Sequence, residues 1–354
     1  MKIETDIKLD FNDVLFRPKR STLSSRREVN LEREFVFKHS KLIWRGVPLI
    51  SSNMDTVSSV EMFKKLSKQK CITCFHKYIS IDDIVSTCKE GYSSDYFMLS
   101  TGITNDDYIR IQEQVKKLKD NNIELKFICI DVANGYMFSL LEFCKKMRDT
   151  FPNITLVAGN VVSREMTEEL IINGKIDIVK VGIGSGAVCT TRLQTGVGMP
   201  QFSAVMECSD AAHGLDGMII SDGGACVPGD VAKAYGGGAD FVMLGSMFAG
   251  HEECPGDVIE EKNEKTGESK KFKLFYGMSS DTAMNKYHGG VAKYRSSEGK
   301  TVKIPFKGSV DDTVDNILGG VRSTCTYIGA NRLKDISKCA TFLRVNRQVN
   351  NSLS

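Results

Sequence analysis

The sequence is short of several things, and each shortage excludes something. No stretch approaches the roughly 18 consecutive apolar residues of a membrane-spanning helix. The opening residues, MKIETDIKLDF, carry no apolar segment of the kind that heads a secretory signal, so a cytoplasmic location is expected. Charge of one sign is also missing: 47 Lys and Arg against 44 Asp and Glu leave a net +3, too little to imply a nucleic-acid partner. The one basic cluster, Lys19-Arg20 with Arg26-Arg27, reads as solvated surface. Cysteine pairing signals are absent too, although there are 11 cysteines. The only C-x-x-C, Cys71 and Cys74, lies inside the apolar run CITCF, where strand geometry points the two thiols to opposite faces. A disulfide framework, a redox pair and a zinc knuckle are therefore not expected. What remains, 41% hydrophobic and 26% charged residues, is the make-up of a soluble globular protein.

Eight short apolar runs recur along the chain, at 47–53, 71–77, 96–102, 127–135, 155–161, 177–184, 217–224 and 241–247. Each is rich in Ile, Val, Leu or Phe and lacks period-two alternation, as a strand buried on both faces does. Between them lie helix-like stretches such as SVEMFKKLSKQ, DDYIRIQEQVKKLKD, MFSLLEFCKKMRD and SREMTEELIING. The last opens at Ser163, an N-cap residue, and closes at Asn173-Gly174. Eight strand–helix units are the count of a (β/α)8 TIM barrel, which has more use for them than a doubly wound open sheet. The expected organisation is one barrel domain over residues 1–354. Within it, residues 1–46 form an N-terminal extension covering one end, with a strand near EFVFKHS. Residues 250–315 form a lid inserted after strand 8, and residues 332–354 a C-terminal tail. The charged tract EEKNEKTGESKKFK in the lid is expected to be a mobile surface hairpin or disordered. The stretch DTVDNILGGVRSTCTYIG should supply the last helix.

In such a barrel the loops leaving the strand C-termini share one mouth. That mouth collects Asn53-Met54-Asp55, His76-Lys77, Asp131 with Asn134-Gly135, Asn160, Asp222-Gly223-Gly224 and Gly245-Ser246. It also receives the loop after strand 6, where Gly182, Gly184 and Gly186 precede Cys189. A cysteine presented on such a loop can act as a nucleophile. The alternative is a packed thiol, since free cysteine is among the most buried residue types. Gly223-Gly224 and Gly245-Ser246 follow strands 7 and 8, the places where backbone N–H groups of these barrels cradle phosphate. Asp222 could accept from ribose hydroxyls. Each glycine pair alone could be a tight turn, but together in this register they point to a phosphorylated ligand.

The segments GSGAVCTTR, IISDGG, FVMLGSM, YGMSS and YRSSEGKTV, with DFNDVLFRPKRST and SSNMDTV nearer the N-terminus, resemble the IMP dehydrogenase/GMP reductase family from about Leu9 to Val349. The resemblance is closer to the reductase branch. The pair of regulatory cystathionine-synthase-type modules common in the dehydrogenases is missing, and so is their arginine-tyrosine flap, the nearest pair being the reversed Tyr294-Arg295. This resemblance implies NADPH-dependent conversion of GMP to IMP and ammonia. Cys189 would form a covalent thioimidate at C2 of the base, and Thr191 and Glu298 would move the proton. It implies nucleotide contacts at Asp222, Gly223, Gly224, Gly245, Ser246, Gly277, Met278 and Ser279, and at Arg295, Ser296, Ser297, Glu298 and Gly299. It implies NADPH contacts at Lys77, Asp131, Val132, Ala133, Ile183, Gly184, Met278, Tyr294 and Arg295. Ser323, Thr324, Cys325 and Thr326, with Ser25 and Arg26 reaching from a neighbouring subunit, complete that set and imply a homotetramer. A potassium ion is implied on the carbonyls of Gly184, Gly186 and Cys189, with Arg192 nearby. Position 185 is serine, as in many dehydrogenases, where animal reductases commonly have proline. Two other readings stay open: an IMP dehydrogenase without regulatory modules, and a catalytically silent nucleotide-binding barrel. Cys189, Thr191 and Glu298 occurring together argue against the second.

Overall fold

The computed structural model describes residues 3–262, 268–290 and 296–346. A short strand, β1 (Val14–Phe16), is followed by an antiparallel hairpin of β2 (Arg33–Val36) and β3 (Ile43–Gly46). Then come β4 (Leu49–Ser51), β5 (Ile72–Phe75), β6 (Phe97–Thr101), β7 (Phe127–Asp131), β8 (Thr155–Val161), β9 (Ile178–Val181), β10 (Met218–Asp222) and β11 (Phe241–Leu244). These eight fall inside the eight apolar runs and close into a parallel barrel in the order β10-β11-β4-β5-β6-β7-β8-β9. The helices α1 (Val60–Lys68), α2 (Ile81–Lys89), α3 (Asn105–Asp120), α4 (Phe138–Thr150) and α5 (Arg164–Ile172) fill the first five crossovers. After β9 the chain forms a short α6 (Thr191–Thr195) and then α7 (Gln201–His213), and α8 (Pro228–Gly236) joins β10 to β11.

The strands read as continuous apolar runs because their two faces enter two different cores. Ile50, Ile72, Cys74, Met98, Phe127, Cys129, Val157, Ile178, Ile220, Phe241 and Met243 meet inside the barrel. Their neighbours Leu49, Phe75, Leu99, Ile128, Leu156, Val179, Ile219 and Val242 pack outward against the helices. At the N-terminal end of the strands the β2–β3 hairpin adds Phe35, Phe37 and Trp44 to the interior cluster. Phe35 stacks on Phe241 at 4.5 Å between ring centroids, and Trp44 meets Phe127 edge-on at 6.0 Å. Aromatic burial fills that end and leaves the opposite end for chemistry.

Residues 250–315 differ in part from expectation. His251, Glu253 and Cys254 are buried, so the segment begins as wall rather than as a loose cover. The charged tract is ordered at both ends as strands β12 (Ile259–Lys262) and β13 (Ser269–Tyr276), with residues 263–267 outside the described residues. The two strands pair antiparallel with Glu260 opposite Lys271 and Glu261 opposite Lys270, so the ladder sets opposite charges side by side. β13 continues inward until Phe275 and Tyr276 are buried, then leads to α9 (Asp281–His288). The chain returns as β14 (Thr301–Pro305) along the other edge of β13 before entering α10 (Val310–Ile328). A short α11 (Ile336–Cys339) precedes β15 (Phe342–Arg344), which pairs with β1. Ser163 caps α5 by backbone position only, without a side-chain hydrogen bond.

One ion pair makes the fold sensitive to pH. Asp240 sits between Arg33 of the hairpin, at 3.2 Å, and His213 at the end of α7, at 2.9 Å. The hydrogen bond to Asp240, partly offset by burial, raises the pKa of His213 above 6.5. The protonated histidine is thus favoured by folding. Its stabilisation is full below the unfolded value and is lost as pH rises through the raised folded one. Unfolding midpoints of the wild type and His213→Asn should therefore differ more at about pH 5.5 than at about pH 8.5. Equal differences at the two pH values would remove His213 from the pH dependence.

Candidate active site at the barrel mouth

The loop after β9 begins with a close approach that only glycine tolerates. A Cβ on Gly182 would stand 2.1 Å from the Asp222 carbonyl oxygen. Gly184, at φ +77°, leaves room for the stem of Arg192, whose Cγ would otherwise lie 2.6 Å from a Cβ. Ser185 Oγ donates to the Asp222 carbonyl at 3.2 Å and ties the loop to β10. The loop closes with the Cys189 N–H donating to the Gly186 carbonyl at 3.1 Å. Residues 188–190 then lie antiparallel to residues 298–300: the Thr190 N–H donates to Glu298 O at 2.9 Å and the Lys300 N–H to Val188 O at 3.0 Å.

This stitching brings together the three residues expected to do chemistry. The Cys189 thiol lies 3.2 Å from Thr191 Oγ1, and that hydroxyl donates to Glu298 Oε2 at 2.6 Å. Cys189 is half-buried, and all three residues line the same cavity. A thiol, a hydroxyl and a carboxylate in hydrogen-bonded series can pass a proton from the first to the last. Burial holds Cys144, Cys208 and Cys325 as thiols, with pKa values pushed up to about 12.

Beneath the loop lies an ion-pair network that sequence reading missed. Lys180, the third residue of β9, is buried with its ammonium 2.9 Å from Asp131 and 2.7 Å from Asp222. Asn53 donates to Asp131 at 2.7 Å, and Asn160 donates to Asp222 at 2.9 Å. Burial opposes charge on Lys180, but the two carboxylates outweigh it and hold the ammonium well above its usual pKa. Burial likewise opposes charge on Asp131, and Lys180 and Asn53 together keep that carboxyl below its usual range. Lys180→Met would leave two carboxylates facing each other, and should cost about 3–5 kcal/mol in denaturant unfolding. Lys180→Arg should recover most of it. A loss below about 1 kcal/mol would show that the carboxylates do not depend on the lysine.

Three adjoining hollows run across the mouth. The central one, about 260 Å³, is lined by Cys189, Thr191, Glu298, Asp222, Gly223 and Gly277 among others. A smaller one, about 80 Å³, opens at the ends of β10 and β11 against Gly223, Gly224, Gly245 and Ser246. The third, about 510 Å³, is lined by Lys77, Tyr78, Asp107, Met284 and Tyr287. It shares Asp131, Val132, Ala133, Met278, Ser279 and Glu298 with the central hollow. Ile183, Gly184 and Gly186 also line the central hollow. Lys77 is held at 3.2 Å by Asp107. Burial opposes charge on Asp107, yet hydrogen bonds from Arg110 and Thr104 bring its pKa down to about 2.

Other expected residues lie elsewhere. Ser296 donates to the Gln194 side chain and Ser297 to the carbonyls of Ser279 and Gly299; neither serine lines the three hollows. Tyr294 and Arg295 lie outside the described residues. Arg192 donates to the Met199 carbonyl and pairs with Asp10, facing away from Cys189's cavity lining. Ser323, Thr324 and Thr326 sit on α10, each hydroxyl donating to a carbonyl of its own helix. Residues 19–30, which include Ser25 and Arg26, run beside the end of that helix: the Lys19 N–H donates to Tyr327 O and the Asn30 N–H to Asn331 O. None of these residues lines the mouth. Cys325 lies on the same helix with its thiol buried in the core beneath α10, so its side chain is turned away from the surface that the three hydroxyls share.

The family model for the IMP dehydrogenase / GMP reductase domain matches residues 8–351. A protein named GMP reductase from Buchnera aphidicola subsp. Acyrthosiphon pisum (strain Tuc7) is 57% identical over 99% of this chain and 98% of its own length. GMP reductases of Klebsiella pneumoniae subsp. pneumoniae and Caenorhabditis elegans are 56% and 55% identical, each over 99% of this chain, with 98% and 95% of their own lengths covered. The chain belongs to the IMP dehydrogenase/GMP reductase family.

Proposed function

We propose that this protein is an NADPH-dependent oxidoreductase that converts GMP to IMP with release of ammonia. The observation that carries this reading is the hydrogen-bonded series Cys189–Thr191–Glu298, set between a glycine cradle and a second, larger hollow. The cradle offers backbone N–H groups and the Ser246 hydroxyl to a 5′-phosphate. Asp222, oriented by Lys180 and Asn160, accepts from the ribose hydroxyls.

In this mechanism Glu298 takes the Cys189 proton through Thr191, and the thiolate adds to C2 of the guanine ring. The same proton returns to the departing nitrogen, the C2–N bond breaks, and ammonia leaves a thioimidate on Cys189. The residues of the second hollow suit a dinucleotide: Lys77 offers a cation, Asp131 an acceptor, and Val132 and Ala133 backbone groups beside the thioimidate. Bound there, NADPH supplies the hydride that replaces nitrogen at C2, so that GMP, NADPH and a proton become IMP, NADP+ and ammonia. Cys189 then leaves as thiolate. Residues 250–315 act as the lid over this chemistry, as part of a single barrel domain with an N-terminal extension (residues 1–46) and a C-terminal tail (residues 332–354).

The remaining parts of the reading are narrower. The carbonyls of Gly184, Gly186 and Cys189 suit a potassium ion. Gly186 keeps one lone pair free while accepting from Cys189, and Arg192 borders the loop. Ser25 and Arg26 lie on the flank, so they reach a cofactor held by another copy, in a homotetramer, and the segment Ser323 to Thr326 completes that set, Cys325 through its backbone because its thiol is buried. The free state of all eleven cysteines fits a reducing cytoplasm, and among the described residues no helix is long and apolar enough to cross a membrane.

The test is direct. Purified protein with GMP and NADPH should consume the reduced nicotinamide and yield equal amounts of IMP and ammonia. NADH formation from IMP and NAD, without reaction of GMP, would instead make it a dehydrogenase lacking regulatory modules. Silence in both directions would make it a nucleotide-binding barrel.

A further inference from the structure

Asp55 follows β4 at the mouth and is buried, yet it serves nothing on its own loop. Its Oδ2 accepts three hydrogen bonds: from Tyr276 Oη at 2.9 Å, Lys286 Nζ at 2.9 Å and Tyr287 Oη at 2.7 Å. Its Oδ1 has no partner among the described residues. All three donors belong to the segment inserted between β11 and α10. One ends β13 and two lie on α9, so they bracket the turn at residues 277–280 from both sides.

That turn is the second backbone that holds Glu298, residues 188–190 being the first. The Glu298 N–H donates to Ser279 O at 3.2 Å, and Ser297 Oγ donates to the same carbonyl at 3.4 Å. Ser280 pairs with Gly299, so closely that a Cβ on Gly299 would lie 2.9 Å from the Ser280 nitrogen. Ser280 also caps α9 by accepting from the Ala283 N–H at 3.3 Å. The backbone thus transmits position from Tyr276 and α9 through residues 279–280 to Glu298. A second contact fixes α9 laterally: Tyr287 stacks on Tyr78 with centroids 3.9 Å apart and planes 6° from parallel.

We infer that Asp55 is a positioning residue for the general acid: by gripping both sides of the turn at 277–280, it holds Glu298 within reach of Thr191. This deepens the reading of the site given above and rests on it. The carboxylate neither touches the proton series nor lines the central hollow. Its effect should fall on how fast the proton moves along the series, and not on whether the site can bind its ligands and form the adduct. The adduct can be read on its own in the reverse direction. With IMP and NADP+ but no ammonia, Glu298 takes the Cys189 proton through Thr191, the thiolate adds to C2 and the C2 hydride passes to NADP+. The enzyme is left as the thioimidate with one equivalent of NADPH, and no proton is delivered to nitrogen.

The experiment compares Asp55→Ala, Asp55→Asn and Tyr276→Phe with wild type in two assays: steady-state turnover of GMP with NADPH, and the amplitude of the single-turnover NADPH burst from IMP with saturating NADP+. Displacing a catalytic group by about 1 Å can cost about 100-fold, so Asp55→Ala should lose about that much GMP turnover while its burst still approaches one equivalent. Asp55→Asn keeps an acceptor for the tyrosines but leaves Lys286 without its counter-charge, and should fall between. Tyr276→Phe removes one of three donors without disturbing the buried carboxylate, and should show a smaller loss confined to turnover. The inference is overturned if turnover and burst amplitude fall together in Asp55→Asn and Tyr276→Phe, or if turnover falls in no variant. If the wild type gives neither turnover nor burst, the functional reading fails instead.

Discussion

Cys189→Ala should lose about 10⁵-fold or more of its GMP turnover while still binding GMP, because the thiol makes the bond on which both half-reactions depend. The groups proposed to hold the nucleotide lie elsewhere. The cradle at Gly223, Gly224, Gly245 and Ser246 and the anchored Asp222 touch neither Cys189 Sγ nor its hydrogen bonds. Calorimetric titration of the variant with GMP should therefore give an affinity close to wild type, with no NADPH consumed afterwards. Cys189→Ser tests the chemistry more finely. The hydroxyl can keep the contact to Thr191, but it ionises far less readily than a thiol and should be nearly as inactive as alanine. Measurable turnover in the alanine variant would rule out covalent catalysis and return Cys189 to the status of a packed thiol.

The barrel was legible because its strands are buried on two sides. Ile50 and Leu49, or Ile128 and Phe127, face different cores, so the runs carry no alternation and stand out between amphipathic helices. The Cys189 loop was legible for a different reason: Gly182 and Gly184 are demanded by contacts with the Asp222 backbone and the Arg192 stem, and such demands leave glycines in the sequence. Lys180 was not legible. A lysine in an apolar run looks like an edge or an accident until barrel closure puts Asp131 on one side and Asp222 on the other. The role of Asp55 was hidden in the same way, since its three donors arrive from a segment far downstream. For the charged tract the sequence left a surface hairpin and disorder both open, because composition reports charge but not register, and register is what sets Glu260 opposite Lys271. Family likeness assigns the segment Ser323 to Thr326 as a whole, whereas the helix decides which of its side chains face inward, as that of Cys325 does.

Glu298→Gln should lower GMP turnover by about 10²–10⁴-fold, the range that a positioned acid or base contributes. The amide preserves the shape of the carboxylate and can still meet the Thr191 hydroxyl, but it cannot take the thiol proton or return it to nitrogen. Thr191→Ala should produce a loss of similar size by a different route, because it removes the hydroxyl that bridges Cys189 Sγ to Glu298 Oε2, at 3.2 and 2.6 Å. If the three residues act as one series, either change already breaks it. The double variant should then be no slower than the worse single one, which departs from additivity as residues in one network do. Steady-state rates of the four proteins at saturating GMP and NADPH decide the matter. Losses that multiply would mean that Thr191 and Glu298 act separately, with Thr191 aligning the thiol and Glu298 serving the leaving nitrogen through another path. Losses that do not multiply would tie the reactivity of Cys189 to a residue more than a hundred positions away, held beside it by the backbone pairing of residues 188–190 with 298–300.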